Sequence, residues 1–447
     1  MVRSTVLVLL AAALLPSGVM GFSAGAPIAF SGVPEDGGRT CTQCHAGNPL
    51  NSPGGSLRVE AVNYRPGQKQ TIRVTVSHPE AARWGFQLTA RRASDGSQKA
   101  GTFVIVPEYF LRCAEGNGRE ATLALPCPAN STEFISHRQP LTRTGANGTK
   151  TFEVEWTAPE SDIGEVLFYA SGNAANDSGN NQGDRIYSNG ASPTRISAEV
   201  CPTGVTPTVR DIRNAASGGR DVAMNTLISI FGSGFAVPGV RASAVSGART
   251  GYPRDLACVA VEINGERVPL TYVQGDQINA QVPTTVAAGT VSYRVLVNNV
   301  PSAQGTLNVV NYAPALFTFN GEMAAAVGNL DGRLIGDADV IPGARGARPG
   351  ELIQLYATGL GPTEPVWQAG EIPNAAARVR ETVTVMIAGT TLAAADVQYA
   401  GVTPGQISGL YQINVRVPSS IADGMAPVMI SVGGSASAFG TVIPVKR

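Results

Sequence analysis

Gln70-Thr71-Ile72-Arg73-Val74-Thr75-Val76-Ser77 alternates without a break, Ile72, Val74 and Val76 on one side and Thr71, Arg73 and Thr75 on the other. A period of two is what a strand with one buried face requires. The flanking sequence repeats the pattern. Ser56 to Val62 reads as a strand, Tyr64-Arg65-Pro66-Gly67 as a turn, and Trp84 to Arg91 sets Phe86, Leu88 and Ala90 on one face. Phe103 to Val106, Thr151 to Trp156 and Glu165 to Ala170 continue it. Strands this dense, separated by Gly and Pro turns, predict a β-sandwich over residues 27–201. Long amphipathic helical stretches are missing from the 447 residues, in which 52 Gly and 30 Pro punctuate short Val/Thr/Ile-rich runs. Composition therefore points to an all-β protein of several domains.

Upstream, residues 1–26 read as an export signal peptide. Arg3 supplies the positive end, and Val6 to Leu15 is an apolar core too short to span a bilayer. Gly21 and Ala24 offer cleavage sites, and the lack of a cysteine there argues against a lipoprotein anchor. No second apolar segment is long enough for a membrane span. Export to the periplasm, cell surface or medium is expected. Lys+Arg and Asp+Glu balance at 33 each, so there is no electrostatic case for nucleic acid or an anionic membrane surface.

Just inside the exported chain lies Cys41-Thr42-Gln43-Cys44-His45, the C-x-x-C-H pattern of covalent haem c attachment. Two thiols add to the two porphyrin vinyl groups, and the adjacent histidine becomes the proximal iron ligand. Gly37-Gly38-Arg39 and Gly47-Asn48-Pro49 bracket the motif with turns. A structural disulfide is the competing reading of the two thiols. Zinc is a weaker one, since the second ligand pair that a four-coordinate site wants is missing. Export also makes the remaining cysteines readable as disulfides. Cys113 and Cys127 flank a polar loop that they could staple, and Cys201 and Cys258 are left either to pair or to remain free thiols.

Several segments of this region carry a family resemblance. Tyr64-Arg65-Pro66-Gly67, Trp84-Gly85-Phe86-Gln87-Leu88, Trp156-Thr157-Ala158-Pro159 and Val166-Leu167-Phe168-Tyr169-Ala170 resemble a reeler-type (reelin-domain) sandwich, in particular the bacterial secreted version that begins with C-x-x-C-H. Gly172-Asn173-Ala174-Ala175-Asn176 and Gly183-Asp184-Arg185-Ile186-Tyr187 belong to the same pattern. The resemblance implies the fold more than any activity.

A six-coordinate haem needs a second axial ligand. The exported part of this domain has no methionine, so His137 and His78 are the candidates. His137, in Phe134-Ile135-Ser136-His137, ranks first, because the resembling bacterial domains carry a histidine there and because Pro79 constrains the backbone after His78. A five-coordinate haem is the other option, and a solvated loop histidine is the bland reading of each residue. Asn173 to Asp184 offers Asp177, Asn180, Asn181 and Asp184 as oxygen ligands for calcium, although it lacks EF-hand spacing and has the composition of a plain long turn.

Cys201-Pro202-Thr203-Gly204-Val205-Thr206-Pro207 opens a linker over 202–207. Beyond it the chain repeats itself. Leu227 to Phe235 matches Leu352 to Leu360, Val261 to Gly265 matches Val385 to Gly389, and Gln277 to Pro283 matches Gln412 to Pro418. An offset this long makes each copy a domain rather than a solenoid unit. Two immunoglobulin-like sandwiches are expected, at 208–311 and 312–447. They resemble the IPT/TIG group, and the second also resembles a C-terminal domain of many acidobacterial secreted proteins. That resemblance implies a modular extracellular role. Asp331, Asp337 and Asp339 cluster in a Gly-rich loop and read as solvated turns.

No catalytic constellation is readable, so no enzyme is expected. The first functional expectation is an exported mono-haem protein for electron transfer or redox sensing, its sandwiches serving as spacers or docking modules toward a redox partner. The second is an extracellular interaction or adhesion protein, without redox activity, that meets a surface protein or glycan.

Overall fold

The structure is a computed structural model that describes residues 25–115, 120–121, 125–143, 148–247 and 250–447; nearly all of the expected signal peptide lies outside them. It is all-β. By compactness the chain divides into two units, one of residues up to Val59 with Val74–Pro159 and Ile163–Arg195, the other of Glu60–Arg73, Glu160–Asp162 and Ile196–Arg447. The main division at Arg195/Ile196 falls near the expected linker. Both repeat copies lie in the second unit.

Among the described residues the Reeler-like sandwich has eleven strands: β1 (Ser56–Glu60), β2 (Lys69–Ser77), β3 (Arg83–Arg92), β4 (Thr102–Phe103), β5 (Tyr109–Ala114), β6 (Glu120–Ala121), β7 (Thr132–His137), β8 (Thr149–Thr157), β9 (Val166–Ala175), β10 (Arg185–Ser188) and β11 (Thr194–Ile196). One sheet runs β1-β2-β8-β4; the other runs β10-β9-β3-β7-β5-β6, with β11 also on β9. Between the sheets, Trp156 of β8 meets Phe168 of β9 edge-on at 5.2 Å. Its indole N–H donates to Ala100 O at 2.9 Å, so a fully buried polar atom keeps a partner. Truncating such a side chain to alanine costs about 3–5 kcal/mol.

Phe86, Leu88 and Ala90 face this core, as the alternation predicts. The other face of β3 is buried as well: Gln87, Thr89 and Arg91 are all inaccessible. The N-terminal segment supplies partners for Gln87 and Arg91, and Arg91 Nε in turn donates to Thr89 Oγ1 at 3.0 Å. Gln87 accepts from Phe30 N and donates to Pro27 O, both at 2.6 Å. Arg91 reaches Asp36 at 2.7 Å, a cation that burial makes weaker and the carboxylate restores. Buried polar groups are tolerated where they are paired, and here the pairing fastens the segment that carries Cys41 to His45 onto the sheet.

In the second unit the duplication is visible in the strand register. Leu227 pairs with Gln281 and Phe231 with Gln277; in the second copy Leu352 pairs with Arg416 and Tyr356 with Gln412, the equivalent positions. Val261 opposite Val295 likewise returns as Val385 opposite Ile430. Each copy buries its own apolar cluster. Cys113–Cys127 and Cys201–Cys258 are both disulfides, which settles the choice left open for the second pair. Asp331 is an exposed turn residue, as expected, and it also receives Arg345 through Nε at 2.8 Å and Nη2 at 3.1 Å, which holds its carboxyl down at about 2.

Candidate functional site

The C-x-x-C-H motif forms a single 3-10 turn over Cys41–Gln43. Thr40 caps it by accepting from Thr42 N at 3.4 Å, and the His45 N–H closes back on Cys41 O at 2.9 Å. Two further anchors fix the turn against the sheet. Ser171 Oγ of β9 accepts from Cys41 N and donates to Cys41 Sγ, each at 3.3 Å. Asn181 donates to Cys44 O at 2.5 Å, and Ala46 exchanges backbone bonds with Asn181 and Gly183. Gly47 is needed here: at φ +109° any Cβ would stand 2.8 Å from Gly183 N.

Cys41, Cys44, His45, Gly85, His137 and Asp184 line one cavity of about 220 Å³. That is several times the share of a single water, about 30 Å³. His45 Nδ1 lies 2.6 Å from Asp184 Oδ2. Asn173 Nδ2 stands 3.1 Å from the same nitrogen, while Asn173 Oδ1 is buried with no hydrogen-bond partner. His137, at the end of β7, is bonded only through Nδ1, which lies 3.0 Å from Phe86 N and 3.1 Å from Phe86 O. Its ring occupies the space that a side chain at Gly85 would take, since a Cβ there would meet His137 Cε1 at 2.8 Å. Gly85 and Asn173 are direct cross-strand partners on β3 and β9. One pair of sheet positions therefore makes room for His137 and contacts His45.

Burial, and secondarily the nearby His45, push the His137 imidazole below its ordinary pKa, toward the neutral form that binds metals. Cys41 goes the other way. Enclosure of the sulfur pushes its thiol up to about 11, against the Ser171 bond, even though the residue as a whole keeps some exposure. A dithiol that exchanges disulfides needs a lowered thiol pKa, so thiol–disulfide chemistry fits poorly here. Cys41 and Cys44 are unpaired, while the other four cysteines are bonded.

His78 is outside the cavity lining. It is buried in the turn after β2, accepts from Glu80 N at 3.2 Å and stacks toward Tyr187. The oxygens proposed for calcium already have protein partners. Asp184 holds His45 and accepts from Asn176 N at 3.1 Å, Asp177 meets Arg83 at 3.2 Å, and Asn180 Oδ1 accepts from Gln182 N at 2.8 Å. Calcium wants six to eight oxygens, and these side chains do not offer such a shell. Among the described residues, three metal-type ligand atoms gather only at Glu199, Cys201 and Cys258, and two of those are disulfide sulfurs. Asn173 and Gly85 escaped the sequence reading as site residues, and Asp184 entered it only as a calcium ligand, not as the partner of His45. Each stood inside a segment that carried the family resemblance, but nothing in the one-dimensional pattern linked them to His45 or His137.

Fold and site together define an all-β protein of an oxidising compartment, with a histidine-lined cleft in its first sandwich. Residues 39–177 match the Reeler domain family, so the chain carries a Reeler domain there. No curated protein matches the chain. The human F-spondin reeler domain (fragment 2) is 25% identical over 35% of this chain and 96% of its own, with a TM-score of 0.21. A protein of the Bacteroides ovatus mixed-linkage glucan utilization locus, in complex with a mixed-linkage heptasaccharide, is 11% identical over 90% of this chain and 68% of its own, with a TM-score of 0.26. The BSP domain of a biofilm associated protein is 11% identical over 88% and 66%, with a TM-score of 0.19. Likeness of this degree fixes no activity. Among the described residues no helix is long and apolar enough to cross a membrane.

Proposed function

We propose that this chain is an extracellular interaction protein whose Reeler domain carries one covalently attached haem c. The haem half of the reading rests on one observation. Two unpaired thiols, Cys41 and Cys44, open onto the same cleft as His45 and His137, in a chain whose other cysteines are all bonded. The donor set suits the group: two thiols for the vinyl additions, and two imidazoles each held through Nδ1, with only the Asn173 amide, 3.4 Å from His45 Nε2, standing against a ligating nitrogen. The unsatisfied Asn173 Oδ1 is a further sign that the cleft is built to hold something. Bound there, haem supplies one-electron iron chemistry. Cys41 and Cys44 would anchor it, His45 would hold its iron from one side and His137 would be the candidate second ligand, with His78 outside the cleft lining. The paired sandwiches of the second unit serve as the docking part, toward a surface protein or glycan.

A second reading keeps the interaction role and drops the redox group, and the relatives favour it. Denaturing electrophoresis of protein exported from a strain competent in cytochrome c maturation separates the two. Covalent haem survives and stains for peroxidase activity. Unstained protein, with Cys41 and Cys44 joined in a disulfide, leaves the interaction protein alone.

A further inference from the structure

Asp184 stands directly behind His45. Its side chain is 2% exposed, and Oδ2 is 2.6 Å from His45 Nδ1. At that distance the pair is a charge-assisted hydrogen bond. A carboxylate only accepts, so the ring proton resides on Nδ1 and the lone pair on Nε2. The carboxylate is itself held in place. Oδ1 accepts from Asn176 N at 3.1 Å, and Asn173 Nδ2 approaches Oδ2 at 3.4 Å. The next residue, Arg185, begins β10 and pairs with Ala174 of β9. Asp184 is thus mounted on the edge of the sheet, where it can hold a ring steady.

We propose that Asp184 is the positioning residue of the site. It sets the His45 tautomer so that Nε2 is the ligating nitrogen, and its buried negative charge makes that imidazole a stronger donor, which favours the oxidised state of the iron it binds. Outer partners of metal-bound histidines act in this way, with effects of about 10–100-fold. The inference rests on the haem reading above.

The test has two arms. In the holo-protein, Asp184→Asn keeps an oxygen for Asn176 N and removes the charge. Its reduction equilibrium shifts about tenfold toward the ferrous state, or about 59 mV for one electron. A loaded variant with an unmoved potential overturns the proposal, even if its melting temperature falls, because a purely structural role moves only the latter. In the full-length wild type exported without haem attachment, nitrogen-15 NMR reads the His45 tautomer directly and depends neither on the variant folding nor on haem. Protonation at Nδ1 supports the proposal, and protonation at Nε2 overturns it. A wild type that never acquires haem defeats the functional reading before any potential is measured, and the redox part of this inference falls with it.

Discussion

The chain buries polar side chains in two places, with opposite outcomes. In the second unit, Asn225, Gln281, Thr358, Ser408 and Tyr411 join the two repeat copies and are all nearly inaccessible. Asn225 donates to Ser408 O at 2.7 Å and Tyr411 Oη at 3.0 Å, Gln281 accepts from Gly370 N at 2.7 Å, and Thr358 accepts from Leu227 N and donates to Gly409 O, both at 2.9 Å. This seam is satisfied and closed. The Reeler cleft has two unpaired thiols, a His137 ring bonded through Nδ1, a His45 ring held by Asp184 with the Asn173 amide 3.4 Å from its Nε2, and an orphaned amide oxygen. Orphaned atoms also occur elsewhere, at Ser31 Oγ and Trp367 Nε1, for example. The combination of missing partners with convergent ligand-type groups around a cavity marks the cleft as a site, and complete pairing marks the seam as structure.

The sharpest test of that contrast is to remove the thiols. Cys41→Ala with Cys44→Ala is expected to abolish covalent haem, read by haem stain, and, in the full chain, to leave hydrogen-exchange protection at the seam around Asn225 and Gln281 unaffected. In the seam the pattern reverses. Asn225→Leu or Gln281→Leu leaves buried partners unpaired and is expected to cost about 1–3 kcal/mol in urea unfolding, with no change in haem content or spectrum.

Within the cleft, His137→Ala is expected to convert a low-spin spectrum to high-spin and to admit carbon monoxide, while the covalent bonds persist. His78→Ala leaves the spectrum as it was. Gly85→Val tests the same geometry from the opposite strand, since its side chain must displace the His137 ring; it too gives high-spin iron. A low-spin His137→Ala together with a high-spin His78→Ala would reverse the assignment.

The smallest expected effect is on pH dependence, and the two regions differ in sign. His137 has a folded pKa below its ordinary 6.5, owing to burial. The unfolded chain therefore binds more protons below that pH, and the haem-free Reeler domain loses stability as pH falls through 6.5. Tyr411 in the seam is raised above its ordinary 10.0 by burial. Its contribution is present below pH 10 and is lost as pH rises through that value. Thermal melts across pH, with each histidine or tyrosine variant as control, check both signs.

Much of this was legible in one dimension, and the misses have a common cause. Period-two alternation carried the strands, and the Leu227/Leu352 and Gln277/Gln412 matches carried the duplication, because both are local patterns. The alternation left the other face of β3 unassigned: Gln87, Thr89 and Arg91 are buried, and the partners that Phe30, Pro27 and Asp36 supply are distant in sequence. The pairing of Asp184 with His45 was illegible for a related reason: acidic and amide residues in a Gly-rich loop suggest a calcium loop or a turn, and its partner His45 is 139 positions away. The Cys113–Cys127 pairing followed from a short loop, whereas Cys201–Cys258 needed three dimensions.

The central claim is that the cleft binds haem through Cys41, Cys44 and His45. The optical spectrum of the purified exported protein, recorded before and after dithionite, tests it most directly. The account predicts a Soret band that shifts on reduction, with sharp α and β bands in the ferrous state, at one haem per chain. A protein with only the aromatic absorbance of its Trp and Tyr residues, from cells that mature cytochrome c normally, would contradict it.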